Sequence, residues 1–285
     1  MEMRLANCYL CGCDNSVDVE GTVRDLPSIA IKKCVNCGLV FLENTDHIHE
    51  DFYKNSEMHG VQPIDMNEWL SECEADDLRR FKSLKPNICD RRVLDFGCGA
   101  GGFVQKASGI AAVVQGVEVE NRVRDFWRGK LSIRNCLKKC EKQWDLITAF
   151  HVFEHLKDPR STLIELAEYL SLKGKIVIEV PNANDALLNL YNCQEFRAFT
   201  YWSQHLYIFD SNTIALLVSQ AGLKLDKIQF IQRYPVSNHL YWLSEGEPGG
   251  HEKWSMLNSS HLSKAYEKQL AAVGMTDTLS VEISC

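Results

Sequence analysis

The sequence predicts an α/β protein, a doubly wound parallel sheet preceded by a small cysteine-rich module. Three observations lead there. From Arg92 onward, short apolar runs alternate with helical patterns. The first of those runs passes straight into a glycine-rich turn, Gly97-Cys98-Gly99-Ala100-Gly101-Gly102, and two Cys-x-x-Cys knuckles stand near the start of the chain. At 285 residues there is length for one large domain and an appendage. A formal charge of -7 argues against an extended nucleic-acid footprint, which draws on Lys and Arg. The longest apolar stretches, such as Ile110 to Val114, are too short to span a bilayer. With 45% hydrophobic and 24% charged residues the chain is neither disordered nor collagenous, so a small-molecule partner is the first expectation.

The cysteine module comes first. Cys8-x-x-Cys11 and Cys34-x-x-Cys37 are each followed by a glycine, Gly12 and Gly38, that lets the backbone turn tightly around a metal. Four thiolates at this spacing suit tetrahedral zinc, with Cys13 as a competing sulfur beside the first knuckle. Because all four positions are sulfur, the ion is expected to be structural, with no open position for substrate. The module is expected over residues 1–45, too small to hold a core without the ion. Residues 46–90 are expected to form a helical linker and lid, and 91–285 the main domain. The remaining cysteines read as small buried hydrophobes. The start Met1-Glu2-Met3-Arg4 has no apolar core and no cleavage site, so reduced thiols and a cytoplasmic location are expected.

In the main domain, Val93 to Phe96, Val113 to Glu118, Asp145 to Phe150 and Lys175 to Val180 read as strands. Asp158-Pro159 caps a helix with Leu163, Ile164, Leu166, Ala167 and Leu170 on one face, ended by Gly174. On such sheets ligands bind beyond the carboxyl ends of the strands. Gly97, Gly99 and Gly102 also satisfy G-x-G-x-x-G, so the pattern alone is ambiguous between cofactors. Charge separates them. Asp95, just before the glycines, would repel a pyrophosphate, whereas S-adenosylmethionine carries an ammonium, a sulfonium and no phosphate. Glu118 follows at the end of the next strand, placed to accept both ribose hydroxyls.

These residues resemble class I S-adenosylmethionine-dependent methyltransferases, in the branch with a zinc-ribbon preface common among bacterial sugar and surface-polysaccharide methyltransferases. The resemblance is carried by the two knuckles, by Val93-Leu-Asp-Phe-Gly-Cys-Gly-Ala-Gly101, by Gly116-Val-Glu118, by Phe150-His-Val-Phe-Glu-His155-Leu-Lys-Asp158 and by Val180-Pro-Asn182. It implies a Rossmann-like sheet of seven strands whose last strand is antiparallel, for which Asp277 to Ser284 is the candidate. It also implies that Gly97, Gly99 and Gly101 lie against the donor's methionine part and that Glu118, with Val119 beside it, holds the ribose. Phe96, Cys98 and Phe150 would line the pocket. Where the family often has an acid for the adenine amino group, this chain offers Asn135-Cys136. Arg79 and Arg80 are candidates for the donor's carboxylate.

Methyl transfer from a sulfonium is an in-line displacement, so the enzyme must align the acceptor and often remove its proton. His151, Glu154 and His155 stand in the order H-x-x-E-H after the fourth strand, where a helical turn would put them on one face. The pattern is similar to the E-x-x-E-H of ubiquinone-pathway and small-RNA O-methyltransferases, which binds a divalent cation with a further His; His205 is the candidate for that ligand. Two readings compete. Either His151 or His205 is a general base without metal, or the four residues hold a second divalent cation, Mg²⁺ or Mn²⁺; the nitrogen-rich set favours the base. The acceptor is expected at an insertion around 181–210, with Asn182, Asn184, Tyr191, Tyr201, Trp202, His205 and Tyr207. Segments near Tyr234 to Trp242 and Gly246 to His251 would close over it. The expected function is O-methylation of a sugar or nucleotide-linked sugar in surface-polysaccharide biosynthesis. The alternatives are C-methylation of a keto sugar and a catalytically silent donor-binding module.

Overall fold

The computed structural model describes residues 7–49, 52–54 and 64–285. Three short strands open the chain, β1 (Ser16–Asp18), β2 (Ile31–Cys34) and β3 (Val40–Leu42), paired antiparallel in that order. A long helix follows, α1 (Met66–Ile88), begun by Asp65, whose carboxylate accepts from the N–H groups of Asn67 and Glu68. Next come β4 (Arg92–Phe96), α2 (Gly102–Ala107), β5 (Val113–Val117), α3 (Asn121–Phe126), β6 (Ile133–Arg134), β7 (Trp144–Phe150), α4 (Pro159–Ala167) and β8 (Leu170–Pro181). The remainder gives α5 (Ala186–Asn189), α6 (Gln194–Thr200), β9 (Tyr207–Ile208), α7 (Ser211–Gln220), β10 (Lys224–Ile231), α8 (Val236–Glu245), α9 (Gly250–Lys253), α10 (Ser260–Ala272) and β11 (Thr278–Ser284).

Seven strands form the main sheet in the order β10-β11-β8-β7-β4-β5-β6. Neighbours are parallel from β8 through β6, and β11 runs antiparallel to both β8 and β10, giving the expected Rossmann-like α/β sheet with a reversed last strand. Helices cover both faces, so Leu94, Ile147, Ile176 and Ile178 are fully buried. From β4 the chain builds outward through β5 on one side and returns through β7 on the other. The carboxyl ends of β4 and β7 therefore border a crevice, and Gly97, Glu118 and His151 stand at the strand ends around it.

Two features differ from the sequence reading. The helix after Asp158-Pro159 stops at Ala167, and Gly174 lies inside β8, where a Cβ would come 2.5 Å from the Trp144 carbonyl oxygen. Glycine is needed there for a close strand approach at an irregular register, and not to end a helix. The cysteine module, moreover, is not free-standing. Strand β9 pairs with β3, Val40 opposite Ile208 and Phe41 opposite Tyr207, as the fourth strand of its sheet. This pairing covers backbone groups that an edge strand would leave open. Phe41, Tyr207, Phe209, Ile147 and Ile178 then belong to one continuous buried cluster. Among the described residues no helix is long and apolar enough to cross a membrane.

Asp185 caps α5, accepting from the Leu187 N–H, yet it is only 5% exposed. Burial, and after it the charge of Asp277, pushes its carboxyl up from 3.8 to about 8. A group held protonated by the fold stabilises fully below its unfolded pKa and loses that contribution as pH rises toward the folded value. Asparagine caps as well as aspartate and carries no charge. Asp185→Asn should therefore match the native protein near pH 4 and gain on it by up to about 1.4 kcal/mol per pH unit on the way to pH 8, read by denaturant unfolding across that range.

Candidate active site

The glycine turn is built by backbone conformation. Gly97, Gly99 and Gly101 have φ of 70°, 50° and 86°, the left-handed region that glycine adopts without strain. The N–H groups of Gly97 and Cys98 both bond the Val117 carbonyl, at 2.8 and 3.0 Å, which ties the turn to the end of β5. Three side chains crowd it. A Cβ on Gly97 would meet Val152 at 2.5 Å, one on Gly101 the Trp127 indole at 2.6 Å, and one on Gly99 the Trp69 ring at 3.4 Å. Trp127 also donates to the Ala100 carbonyl at 2.7 Å, so two indoles the sequence reading passed over flank the turn.

Around the turn, the residues read as donor-binding have different surroundings. Glu118 accepts from the Gly99 N–H with one oxygen and from the Glu120 N–H with the other, each at 3.0 Å. Burial pushes its carboxyl pKa up. Val119 beside it is exposed. The Glu118 N–H bonds the Arg134 carbonyl at 2.8 Å, which brings Asn135 and Cys136 next to the end of β5. Phe96 and Cys98 are half-buried, and the Cys98 sulfur packs on Gly116. Asp95 is buried and accepts from the Thr148 hydroxyl at 2.7 Å, with burial pushing its pKa up to about 7. Phe150 packs edge-on against Phe103 and beneath the Arg80 guanidinium.

A charge network spans the crevice from α1. Arg79 bonds both oxygens of Glu179 at 2.9 Å, and Arg80 bonds one of them at 2.8 Å. These two cations are thereby engaged by the protein's own carboxylate. Arg79 also bonds Asp76, which in turn accepts from Arg233. Sequence reading missed Glu179 and Arg233. The signal for the first was an acid inside the apolar run Ile176-Val-Ile-Glu-Val180.

Beyond β7 the four expected catalytic residues fall into two groups. His151 has φ 55°, unusual for a non-glycine residue, and its N–H bonds the Glu179 carbonyl at 2.8 Å. Its Nε2 faces Arg233 at 3.3 Å and its Nδ1 faces Glu154 at 3.0 Å. A guanidinium only donates, so Nε2 is the accepting nitrogen and Nδ1 carries the proton toward Glu154. Burial, then Arg233 and Arg80, hold His151 well below the usual imidazole range, so the ring is neutral. His155 turns away from His151. It donates from Nδ1 to the Gln204 carbonyl at 2.8 Å and stands 5.1 Å, ring to ring, from His205. Glu154, His155 and His205 bring ligand atoms within 4.8 Å of one another, and His151, expected on one helical face with Glu154 and His155, meets Glu154 but stands outside that group. His151 lies ahead of the short 3₁₀ helix Phe153–His155, and with its positive φ no continuous helical turn runs from His151 to His155.

The insertion residues are largely structural. Asn182 donates to the carbonyls of Gly274 and Thr276, Tyr207 is buried on β9, Tyr201 packs on Gly21, and Tyr191 bonds Tyr266. Trp202 stacks under Arg24. In the N-terminal module, Cys8, Cys11, Cys34 and Cys37 gather within 4.8 Å, with Sγ–Sγ distances of 3.5 Å for Cys8 and Cys37 and 3.4 Å for Cys11 and Cys34. Gly12 and Gly38, at φ 70° and 83°, turn the two knuckles. Four sulfurs at such separations fit one tetrahedral ion of zinc size.

A family profile described as a methyltransferase domain matches residues 66–228, more than half of the chain. The chain belongs to the methyltransferase family and is an S-adenosylmethionine-dependent methyltransferase. It is similar to the ubiquinone biosynthesis O-methyltransferase of Acinetobacter baylyi, 20% identical over 66% of this chain and 80% of that protein. The protein of the same name from Thiobacillus denitrificans is 24% identical over 58% of this chain and 78% of its own. A solved structure from Thermotoga maritima, titled a SAM-dependent methyltransferase and possible histamine N-methyltransferase, shares the fold: TM-score 0.50, 15% identity, covering 76% of this chain and 93% of that one.

Glu179 sits at 3% exposure between two guanidiniums, and removing it strands Arg80, itself 9% exposed, without its closest anion. Glu179→Ala should cost about 3 to 5 kcal/mol of unfolding free energy, the scale for breaking a buried pair from one side. Chemical denaturation measures it.

Proposed function

We propose that the protein methylates a hydroxyl oxygen of a sugar or nucleotide-linked sugar, with His151 as general base. The observation that carries the oxygen acceptor is the His151–Glu154 pair: a neutral imidazole whose Nδ1–H is held by the Glu154 carboxyl, which leaves Nε2, shared with Arg233, as the atom able to take a proton. In the reaction the hydroxyl proton passes to Nε2, the oxygen–carbon bond forms, the sulfur–carbon bond breaks and S-adenosylhomocysteine leaves. Arg233 donates to the same nitrogen, so it competes with the acceptor for it and holds the ring in place between turnovers. For the donor, the proposal assigns the methionine part to the turn Gly97–Gly101, the ribose to Glu118 and the adenine edge to Asn135. Each Glu118 oxygen accepts one backbone N–H and keeps a lone pair for a ribose hydroxyl. The cysteine cluster is assigned to structural zinc. The sugar class rests on the sequence resemblance, and a phenolic hydroxyl is the rival because the relatives are named for ubiquinone biosynthesis. Labelled donor offered to nucleotide sugars and to phenols in parallel decides: label on the phenols alone overturns the sugar reading.

A specific observation favours a second mechanism. The Glu154 Oε2 and His205 Nδ1 atoms are buried without a hydrogen-bond partner, and the His155 Nδ1–H is fixed on a carbonyl, which leaves its Nε2 as the ligand atom. These three residues fit a divalent cation, which would acidify an acceptor hydroxyl; their two nitrogens suit Zn²⁺ or Mn²⁺ better than Mg²⁺.

Glu118→Ala should weaken S-adenosylhomocysteine binding at least about tenfold by calorimetry, on the scale of ~1.5 to 3 kcal/mol for hydrogen bonds to a charged group. His151→Ala should leave that affinity intact and cost roughly 10²- to 10⁴-fold in turnover. A mild chelator that spares the thiolate site separates the mechanisms: activity persists if His151 acts alone and is lost reversibly if Glu154, His155 and His205 hold a cation.

A further inference from the structure

The turn that carries Glu154 and His155 is gripped at four places, by Tyr9 of the cysteine module, by Tyr53 of the linker, and by Leu206 and Tyr207 where β9 completes the module's sheet. The Glu154 carbonyl accepts from the Leu206 N–H at 2.8 Å, and the Leu206 carbonyl accepts from Leu42 of β3 at 3.1 Å. The His155 carbonyl accepts from the Tyr53 hydroxyl at 3.3 Å, with the Tyr53 ring edge-on to the imidazole. The Lys157 carbonyl accepts from the hydroxyl of Tyr207, the residue that pairs with Phe41 of β3. The Asp158 carboxylate accepts from the Tyr9 hydroxyl at 2.5 Å, and that hydroxyl in turn accepts from the Arg160 N–H at 2.9 Å.

Tyr9 lies inside the first knuckle, between Cys8 and Cys11. Its backbone path is set by the Cys8 N–H to the Cys13 carbonyl and the Gly12 N–H to the Cys8 carbonyl, both 2.8 Å. Its ring rests on Tyr207 with centroids 5.1 Å apart and under the Arg160 guanidinium. Asp158 also caps α4 through the Ser161 N–H, so the knuckle and the helix start share one carboxylate. A module that only folded on itself would need none of these contacts.

We propose that the cysteine module is a positioning element for methyl transfer, holding the turn Glu154–Asp158 directly through the hydroxyl of Tyr9 and, by pairing β3 with β9, through that of Tyr207, with Tyr53 of the linker beside them. The proposal rests on the assignment of Glu154 and His151 to the reaction. A gathered metal fixes the knuckle, the knuckle fixes Tyr9, and Tyr9 fixes where the turn enters α4. The Glu154 carboxylate then meets His151 at one distance. The donor residues follow β4 and β5; Gly97 touches this segment at Val152, ahead of the turn, and none of them bonds the gripped stretch Glu154–Asp158.

Tyr9→Phe in the zinc-loaded full-length protein tests this, since the ring keeps its packing on Tyr207 and only the hydroxyl goes. Amide hydrogen exchange over residues 152–160 should quicken, turnover with the acceptor found by the labelled screen should fall about tenfold, and S-adenosylhomocysteine affinity and zinc content should stay native. Tyr207→Phe should do the same. Asp158→Asn, which keeps an acceptor for both Tyr9 and Ser161, should retain turnover that Asp158→Ala loses. Native exchange and native turnover in both tyrosine variants overturn the proposal. So does an equal loss of donor affinity and turnover, which marks a general destabilisation. Because exchange does not involve His151, full turnover in His151→Ala would defeat the base assignment while leaving the grip on the turn to be judged separately.

Discussion

A carboxylate in the middle of an apolar strand has to be neutralised, and the way Glu179 is neutralised arranges the rest of the crevice. Leaving it unpaired in β8 would cost several kcal/mol in an environment that excludes water. Two adjacent guanidiniums on α1 meet it, which fixes both the rotation and the position of that helix over the strand ends. With α1 placed, Asp76 comes within reach of Arg233, and Arg233 is brought against His151. The Glu179 carbonyl bonds the His151 N–H as well, so one residue sets the imidazole from its backbone and, through three side chains, from its far nitrogen.

The same arrangement divides the crevice by charge. On the donor side, Asp95 and Glu118 are carboxyls raised by burial, in keeping with a cofactor that brings its own positive sulfonium and ammonium. Beyond β7, burial holds His155 down to about 4 and His205 down to about 3, neutral at any physiological pH, and pushes the Glu154 carboxyl up to about 8. Neutral imidazoles accept protons or bind cations, and both proposed mechanisms use that state. Their contacts differ: His151 is held between Glu154 and Arg233, while Glu154, His155 and His205 converge.

How much of this was legible beforehand depended on whether a residue's role was local. Gly97, Gly99 and Gly101 announce themselves because a left-handed turn after a strand has few other solutions, and the four cysteines because a tetrahedral site dictates spacing. The α/β alternation followed from period and run length, and the count of seven strands with a reversed last one from the family resemblance. Gly174 misled because a glycine after a helical pattern looks like a helix end, while its real reason was the Trp144 carbonyl of a neighbouring strand. Strand β9 has two residues and no pattern of its own; it exists because β3 offers an open edge. His151, Glu154, His155 and His205 were found as a group, but their division depended on the helical turn beginning at Phe153, past a His151 with positive φ, a start that no spacing rule fixes. Tyr9, Tyr53 and Arg233 act only through partners far away in sequence, and nothing local marks them.

The pairing of β9 with β3 also orders events in time. A ribosome releases the cysteine knuckles well before the main domain, and the sheet behind them cannot be closed until the chain has been made past Ile208. Through that interval β3, with Val40, Phe41 and Leu42 destined for the interior, presents an unpaired apolar edge of the kind that associates with other chains. The cysteine module is therefore synthesised before the strand that completes its sheet. A fragment ending before the ninth strand would keep all four cysteines and still expose the apolar edge of β3.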